Sequence, residues 1–100
     1  MELQQIKYFL ALSEELHFWK TSERMFITQS ALSRQIKALE AELGVQLFER
    51  SKRTVKLTEA GMFLRDRWHP MLDEINRVHM QARKIHEGAS GFIRMGYPGL

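Results

Sequence analysis

Four hydrogen-bonding side chains lie within six consecutive positions of the sequence, at Gln29, Ser30, Ser33 and Arg34. If a helix begins just after Thr28, these residues lie at its N-terminal end, on the face opposite its apolar side chains. Gln and Arg side chains can each form two hydrogen bonds to one base edge, which is how adenine and guanine are distinguished in the major groove of DNA. We therefore predict that the four residues read bases, with Gln29 and Arg34 contributing most.

Basic residues surround this group. Between positions 20 and 56 the sequence contains eight basic residues and four acidic ones. Cationic and hydroxyl side chains suit phosphate, which supplies affinity and salt dependence without reading sequence. The predicted phosphate contacts are Lys20, Thr21, Lys37, Arg50, Lys52 and Arg53. A basic helix face is also commonly just solvated, so the charge alone does not establish DNA binding.

Three helices are predicted to hold these side chains in place. The first begins at Leu3 with apolar residues at intervals of three and four, and the second is predicted over residues 18–25, before a tight turn at residues 26–27. The third has Thr28 as its N-cap and ends at Gly44. Its apolar residues, spaced 4, 3, 4, are Leu32, Ile36, Leu39 and Leu43. Two helices joined by a tight turn, with a polar face on the second, form a helix-turn-helix.

A small β-hairpin is predicted after the third helix. Residues 45–48 and 54–57 are two short extended segments, joined by a polar turn over residues 49–53. Four basic side chains and no acidic one lie between Arg50 and Lys56. The predicted fold is therefore mainly α, a winged helix-turn-helix of three helices and a β-hairpin wing, followed by a long linker or dimerisation helix.

The long helix is predicted from Thr58, its N-cap, to about Gly88. Its apolar residues, here termed the seam, are spaced 4, 3, 4, 3, 4, 3 and are Leu64, Trp68, Met71, Ile75, Val78, Ala82 and Ile85. A heptad spacing of this length predicts a partner helix. Pro70 lies inside the segment and cannot donate a backbone hydrogen bond, so we expect a kink or a break there.

The seam has an alternative interpretation in its first half. Trp68, Met71 and Ile75 could fold back on the domain as ordinary core. Later positions such as Val78 and Ile85 are too far along a helix that rises about 1.5 Å per residue to reach that core. We assign those to a homodimer in which the linker helices pair antiparallel.

The end of the chain has a different character. Residues 92–97 alternate in a way typical of a strand that needs a sheet. The predicted organisation is a DNA-binding domain over residues 1–58, a linker helix over 59–88, and over 89–100 the start of a further domain that the chain lacks.

Composition excludes several other classes of protein. The sequence has no cysteine, no glycine-rich phosphate loop and no apolar run of the roughly 20 residues that span a bilayer. Its four histidines show no metal-binding spacing with a partnered carboxylate, and they are His17, His69, His79 and His86. We therefore predict a cytoplasmic protein that is not an enzyme, with no metal, cofactor or membrane partner. The rival interpretation is a helical protein-interaction module, which would not need a basic wing.

Several short motifs, in order and at matching spacings, resemble the N-terminal part of LysR-type transcriptional regulators. They are Tyr8-Phe9, residues 30–36, Leu39-Glu40, Leu43-Gly44, residues 47–50 and residues 57–61. The resemblance covers about residues 1–88. It implies double-stranded DNA as a partner, reading by the third helix with help from the wing, and a linker helix that forms the dimer. It also implies a larger effector-binding domain that takes a small molecule, and it leaves open a tetramer for a full-length protein.

Four positions depart from the pattern of that family. Thr21 and Ser22 stand where the family usually has two alanines, and Trp19 stands where it often has a small polar residue. Hydroxyls at these sites can bond back to the helix or reach phosphate. Ser30 replaces a common proline, which adds a hydrogen-bond donor and predicts a different DNA specificity.

Overall fold

The computed structural model describes residues 1–51 and 53–94 of the chain. Three helices come first, followed by two short strands and a long helix. The elements are α1 (Leu3–Glu15), α2 (Phe18–Met25), α3 (Gln29–Leu43), β1 (Phe48–Arg50), β2 (Val55–Leu57) and α4 (Glu59–Arg94). The predicted fold class, mainly α with a two-stranded wing, is confirmed.

The ends of the first three helices follow from local backbone chemistry. The Thr28 hydroxyl accepts a hydrogen bond from the backbone N–H of Ala31 at 3.1 Å, and Gly44 adopts a left-handed φ of 71°, so both predicted ends of α3 are confirmed. Leu16 and Phe26 end α1 and α2 with left-handed φ values of 51° and 59°. That conformation is sterically unfavourable for a residue with a Cβ. Backbone hydrogen bonds close both turns, from Leu16 to the carbonyl of Leu12 at 2.7 Å and from Ile27 to that of Ser22 at 3.0 Å.

The core lies between the first three helices and the wing. Fully buried apolar side chains come from α1, α3, β1 and the segment directly before β1, and they include Phe9, Leu12, Leu32, Ile36, Leu39, Leu47 and Phe48. The ring of Phe9 lies 5.5 Å from that of Phe48 and 5.4 Å, edge-on, from that of Trp68. α3 is therefore anchored in the core by Leu32, Ile36 and Leu39.

The wing is an antiparallel hairpin that begins later than predicted. Its register pairs Phe48 with Leu57 and Arg50 with Val55. The prediction of strand at residues 45–47 is wrong, because the Glu40 carboxylate accepts the backbone N–H of Leu47 at 2.7 Å and of Phe48 at 3.2 Å. Those amides are consequently held by a side chain of α3, and strand pairing starts at Phe48, three residues after the predicted start.

α4 packs closely against the wing at its first turn. The Thr58 hydroxyl accepts the N–H of Gly61 at 3.0 Å, so the predicted N-cap is confirmed. A Cβ at Gly61 would lie 2.3 Å from the carbonyl oxygen of Leu47. Only glycine permits the backbone of α4 to approach the residue before β1 this closely.

The far part of α4 corrects three predictions. The helix continues beyond Gly88 to Arg94, because Gly88 does not adopt the left-handed φ that ends a helix. Residues 92–94 are consequently helical, not extended, and the rest of that predicted strand lies outside the described residues. α4 is also continuous through Pro70, since a single proline removes only one backbone hydrogen bond. The predicted break is wrong, and the kink stays a prediction.

The chain divides into two compact units after His69. The first contains the helix-turn-helix, the wing and the opening turns of α4, and the second is the remainder of α4. Among residues 1–51 and 53–94, no helix has the length and apolar character that a membrane crossing requires.

Candidate nucleic-acid interface

The polar face of α3 is exposed where the sequence places its candidate base-reading residues. Gln29, Ser30 and Arg34 are exposed, as is Lys37 one turn later, whereas Leu32 and Ile36 on the other side are fully buried. The buried side chains fix the rotation of α3 about its own axis. Hydrogen-bonding groups near the N-terminus of the helix therefore face solvent from a rigid support.

Ser33 differs from its three neighbours because the side chain is only partly exposed. Its hydroxyl oxygen accepts a hydrogen bond from Nη1 of Arg50 at 3.4 Å. The candidate base-reading set consequently comprises three exposed side chains, of which Ser30 shares a hydrogen bond with the Thr28 hydroxyl at 3.2 Å, and one that the wing holds.

A groove brings α2, the beginning of α3 and the wing together. It has a volume of about 270 Å³, and its lining includes His17, Trp19, Gln29, Arg53 and Thr54. Gln29, a predicted base-reading residue, thus lies beside Arg53, a predicted phosphate contact, although 24 positions separate them in sequence. The exposed amide of Gln29 can hydrogen-bond to a base edge, and the exposed guanidinium of Arg53 can bind a phosphate of the adjoining DNA backbone.

Two residues of this groove were not predicted to have a role. Nδ1 of His17 accepts the N–H of Lys20 at 3.1 Å and so caps α2. The Trp19 indole is 51% exposed next to the His17 ring. The position of His17 directly before the apolar start of α2 was a usable sequence signal, although histidine is a less common cap than Ser, Thr, Asp or Asn.

Thr21 corrects a prediction. Its side chain is fully buried, and its hydroxyl donates to the carbonyl oxygen of His17 at 2.8 Å. Ser22 is similarly buried and donates to the carbonyl of Trp19 at 2.7 Å. Both hydroxyls are therefore tolerated in the core because they form hydrogen bonds to their own helix. The Thr21 side chain is not accessible to a DNA phosphate.

The remaining candidate phosphate contacts divide into two kinds. Lys20, Lys37 and Arg53 are exposed. Arg50 is held inside the domain by α2 and α3, with its side chain 26% exposed. Lys52 lies outside the described residues, so its predicted phosphate contact stays a prediction.

One basic side chain near α2 is used internally. Arg24 forms ion pairs with Glu14 at 2.7 Å and with Glu15 at 3.0 Å, which link α2 to α1. Hydrogen bonding to Glu14, and then to Glu15, raises the pKa of Arg24 above its ordinary value. Arg24 thus stays charged, but its charge is neutralised by the two carboxylates.

The seam residues differ along α4. Leu64 and Trp68 are partly buried, and Trp68 packs on Phe9 as the fold-back alternative predicts. Ile75 is partly exposed and Ala82 exposed. Met71, Val78 and Ile85 are 58%, 47% and 73% exposed. Within the first unit, the seam residues Leu64 and Trp68 are therefore partly covered by the domain itself.

The profile of "Bacterial regulatory helix-turn-helix protein, lysR family" matches residues 3–62. The HTH-type transcriptional regulator AlsR of Bacillus subtilis is 41% identical over 99 residues, covering 99% of this chain and 33% of AlsR. The chain thus spans about a third of the length of that relative.

Solved structures with DNA are similar to the same region. A complex of the BenM DNA-binding domain with catB site 1 DNA superposes with a TM-score of 0.83 at 40% identity, covering 86% of this chain and 97% of that one. Full-length CbnR complexed with its target DNA gives a TM-score of 0.77 at 37% identity, covering 83% of this chain and 29% of that one.

Proposed function

Because this chain belongs to the lysR family of bacterial regulatory helix-turn-helix proteins and carries the DNA-binding domain of that family, we propose that it binds operator DNA as a homodimer. In this proposal α3 lies in the major groove and the wing lies along the DNA backbone. The observation that carries it is the exposed hydrogen-bonding face of α3, held in orientation by the fully buried Leu32 and Ile36 on the opposite side.

The proposed division of roles follows from exposure and chemistry. Gln29, Ser30 and Arg34 read base edges, because they are exposed at the N-terminal end of α3 and carry suitable donors and acceptors. Lys20, Lys37 and Arg53 bind phosphate, since they are exposed cations around that face. Ser33 also reads a base, while its hydroxyl oxygen accepts the hydrogen bond from Arg50. Lys52 adds a phosphate contact. The similarity to BenM and CbnR, both solved with DNA, supports this orientation of α3.

The homodimer forms through α4 in this proposal. Met71, Val78 and Ile85 are exposed apolar side chains on one stripe, and an antiparallel partner helix would cover them. Two-fold symmetry then presents two α3 helices to two half-sites of a pseudo-palindromic operator. A module that only dimerises would need the stripe but not the polar face of α3.

The intact protein is proposed to be longer than this chain. With residues 1–58 as the DNA-binding domain and 59–88 as the linker, residues from 89 onward lead towards an effector-binding domain that takes a small molecule. Such a protein works in the cytoplasm, and further contacts between effector domains would assemble a tetramer. The coverage of AlsR, one third of its length, supports a missing domain of this kind.

Selection of bound duplexes from a random DNA pool tests the proposal. We expect one enriched motif with two inverted half-sites, and an affinity for the selected duplex whose logarithm falls linearly with the logarithm of the salt concentration. Repeating the binding measurement at several salt concentrations counts the phosphate contacts. Binding without an enriched motif would contradict base reading, and a single half-site would contradict the dimer.

A further inference from the structure

We propose that Arg50 is a positioning residue for α3: it orients the Ser33 hydroxyl as a hydrogen-bond donor towards DNA and does not bind phosphate. This proposal rests on the proposed function, because it concerns how the DNA-reading face is prepared. It reverses the prediction from sequence, in which Arg50 contacts phosphate together with Arg53.

The Arg50 side chain contacts three residues on two helices at once. Its Nη1 donates to Ser33 at 3.4 Å, and its Nη2 lies 3.8 Å from the Glu40 carboxylate. The guanidinium carbon lies 4.8 Å from the centre of the Phe18 ring, a cation–π arrangement. The side chain of a wing residue is thereby fixed against both helices of the helix-turn-helix.

Burial and charge both oppose a phosphate contact by Arg50. The side chain is 26% exposed, and its Nη2 is buried without a hydrogen-bond partner among the described residues. The facing carboxylate of Glu40 is 16% exposed, so it neutralises the guanidinium from inside the domain. Reaching a DNA phosphate would require Arg50 to give up Ser33, Glu40 and the Phe18 ring together. Arg53, which is exposed, has no comparable cost.

Glu40, on α3, also connects this helix to the wing. One carboxylate oxygen accepts the N–H groups of Leu47 and Phe48, and the other faces Arg50. α3 therefore holds the start of β1 through Glu40, and the end of β1 holds α3 through Arg50. This closed arrangement sets the distance between the wing and the Ser33 hydroxyl.

The contact determines what Ser33 can offer to a base. A serine hydroxyl carries one hydrogen and can accept on its oxygen. When Arg50 donates to that oxygen, the positive guanidinium turns the hydroxyl hydrogen away, towards solvent. Ser33 is then set to donate, which favours a base edge with an acceptor, such as guanine N7 or O6 or thymine O4, over the amino group of cytosine.

The test compares variants on the duplex that the unmodified chain selects from a random pool. R50M removes the charge and keeps an unbranched chain, R50K keeps the charge but loses the planar fork, and R53M is the matched control. For R50M and R50K alike, we expect the preference at one base position of each half-site to fall from about tenfold towards onefold, with the salt slope unchanged. For R53M we expect the reverse: an unchanged base preference and a salt slope reduced by about 0.9 for each phosphate that the variant no longer binds.

The opposite result for Arg50 would overturn the proposal. If R50M lowers the slope by about 0.9 and R50K restores it, Arg50 binds phosphate. A second measurement uses S33A alone and combined with R50M: positioning through Ser33 predicts that the double variant loses no more base preference than S33A does, and additive losses would contradict it. Circular dichroism checks that each variant is folded. If R50M is not folded, R50K is used for the test instead. If the unmodified chain selects no motif, the proposed function fails, which is separable from any outcome for Arg50.

Discussion

The two units of the chain differ in where their apolar side chains lie. Residues 1–69 contain a core in which Phe9, Leu32 and Phe48 are fully buried, and the exposed face of α3 is polar, although apolar side chains outside this core are exposed, Phe26 at 94%. In residues 70–88 the apolar residues Met71, Val78 and Ile85 are 58%, 47% and 73% exposed. The first unit has a buried core and presents hydrogen-bonding groups on α3, while these three exposed apolar side chains of the second lie along one face of a single helix.

This difference indicates a different partner for each unit. A polar, cationic face on a rigid support suits a polyanion with a patterned edge, such as duplex DNA. A long apolar stripe on a single helix gains stability only when another apolar surface covers it. The first unit supplies its own core, and the partner proposed for the second is a second copy of the chain.

The largest expected effect tests the buried core of the first unit. Phe9→Ala should lower the free energy of unfolding by about 3–5 kcal/mol, because it leaves a cavity beside Phe48 and Trp68. Phe63→Ala is the matched control, since Phe63 is 56% exposed and contacts Arg67, and it should cost less than about 1 kcal/mol. Denaturant unfolding followed by circular dichroism measures both. Equal losses would show that Phe9 is not the centre of the core.

The next effect concerns the polar face of the first unit. Arg34→Ala should cost about 1–3 kcal/mol of binding free energy on the selected duplex and relax the base preference at one position. Arg53→Ala should weaken selected and random duplexes by the same factor, because a phosphate contact does not depend on sequence. Fluorescence anisotropy with both duplexes distinguishes them. Losses that are the same for the two variants on both duplexes would contradict the proposed roles.

A smaller effect tests the apolar stripe of the second unit. Val78→Asn should raise the dimer dissociation constant about tenfold, or about 1.4 kcal/mol, because it places an amide in the proposed interface. Met80→Asn removes an equally exposed apolar side chain, 51% against 47%, about 200° around the helix axis. Sedimentation equilibrium should find the Met80 variant unchanged. A dimer that is equally weakened by both, or a monomeric unmodified chain at micromolar concentration, would contradict pairing through the seam.

The smallest effect separates basic residues that serve the fold from those that serve DNA. Arg24→Gln should lower the free energy of unfolding by about 0.5 kcal/mol, since the side chain is 46% exposed and solvent screens its ion pairs with Glu14 and Glu15. Because those carboxylates already neutralise Arg24, DNA affinity and its salt slope should not change. A slope lowered by about 0.9 would instead identify Arg24 as a phosphate contact.

Local sequence patterns predict the secondary-structure elements of this molecule more accurately than they predict the environment of its polar side chains. The 4, 3, 4 spacing from Leu32 to Leu43, with Thr28 and Gly44 at the ends, is enough to predict α3, because each signal acts within one or two turns. No such signal distinguishes Arg50 from Arg53. The first is fixed by Ser33, Glu40 and Phe18, which are 10 to 32 positions away, and the second is exposed.

Helix length was the other property that local patterns did not determine. Gly88 predicts an end only if it adopts a left-handed φ, and in the structure α4 continues to Arg94. Thr21 shows the same limit for burial, since a hydroxyl that bonds to its own helix is compatible with either the core or the surface. These outcomes depend on what lies beside the residue in three dimensions.

The left-handed turns at Leu16 and Phe26 have a consequence for protein engineering. Each costs about 1–2 kcal/mol relative to glycine, and α2 has only eight residues, too few to be stable alone. We therefore expect a synthetic peptide of residues 16–44 to be mostly unfolded by circular dichroism, and a well-formed helix-turn-helix in that peptide would contradict this. DNA specificity consequently cannot be grafted from this protein as a short segment: a transplant has to carry α1 and the wing as well.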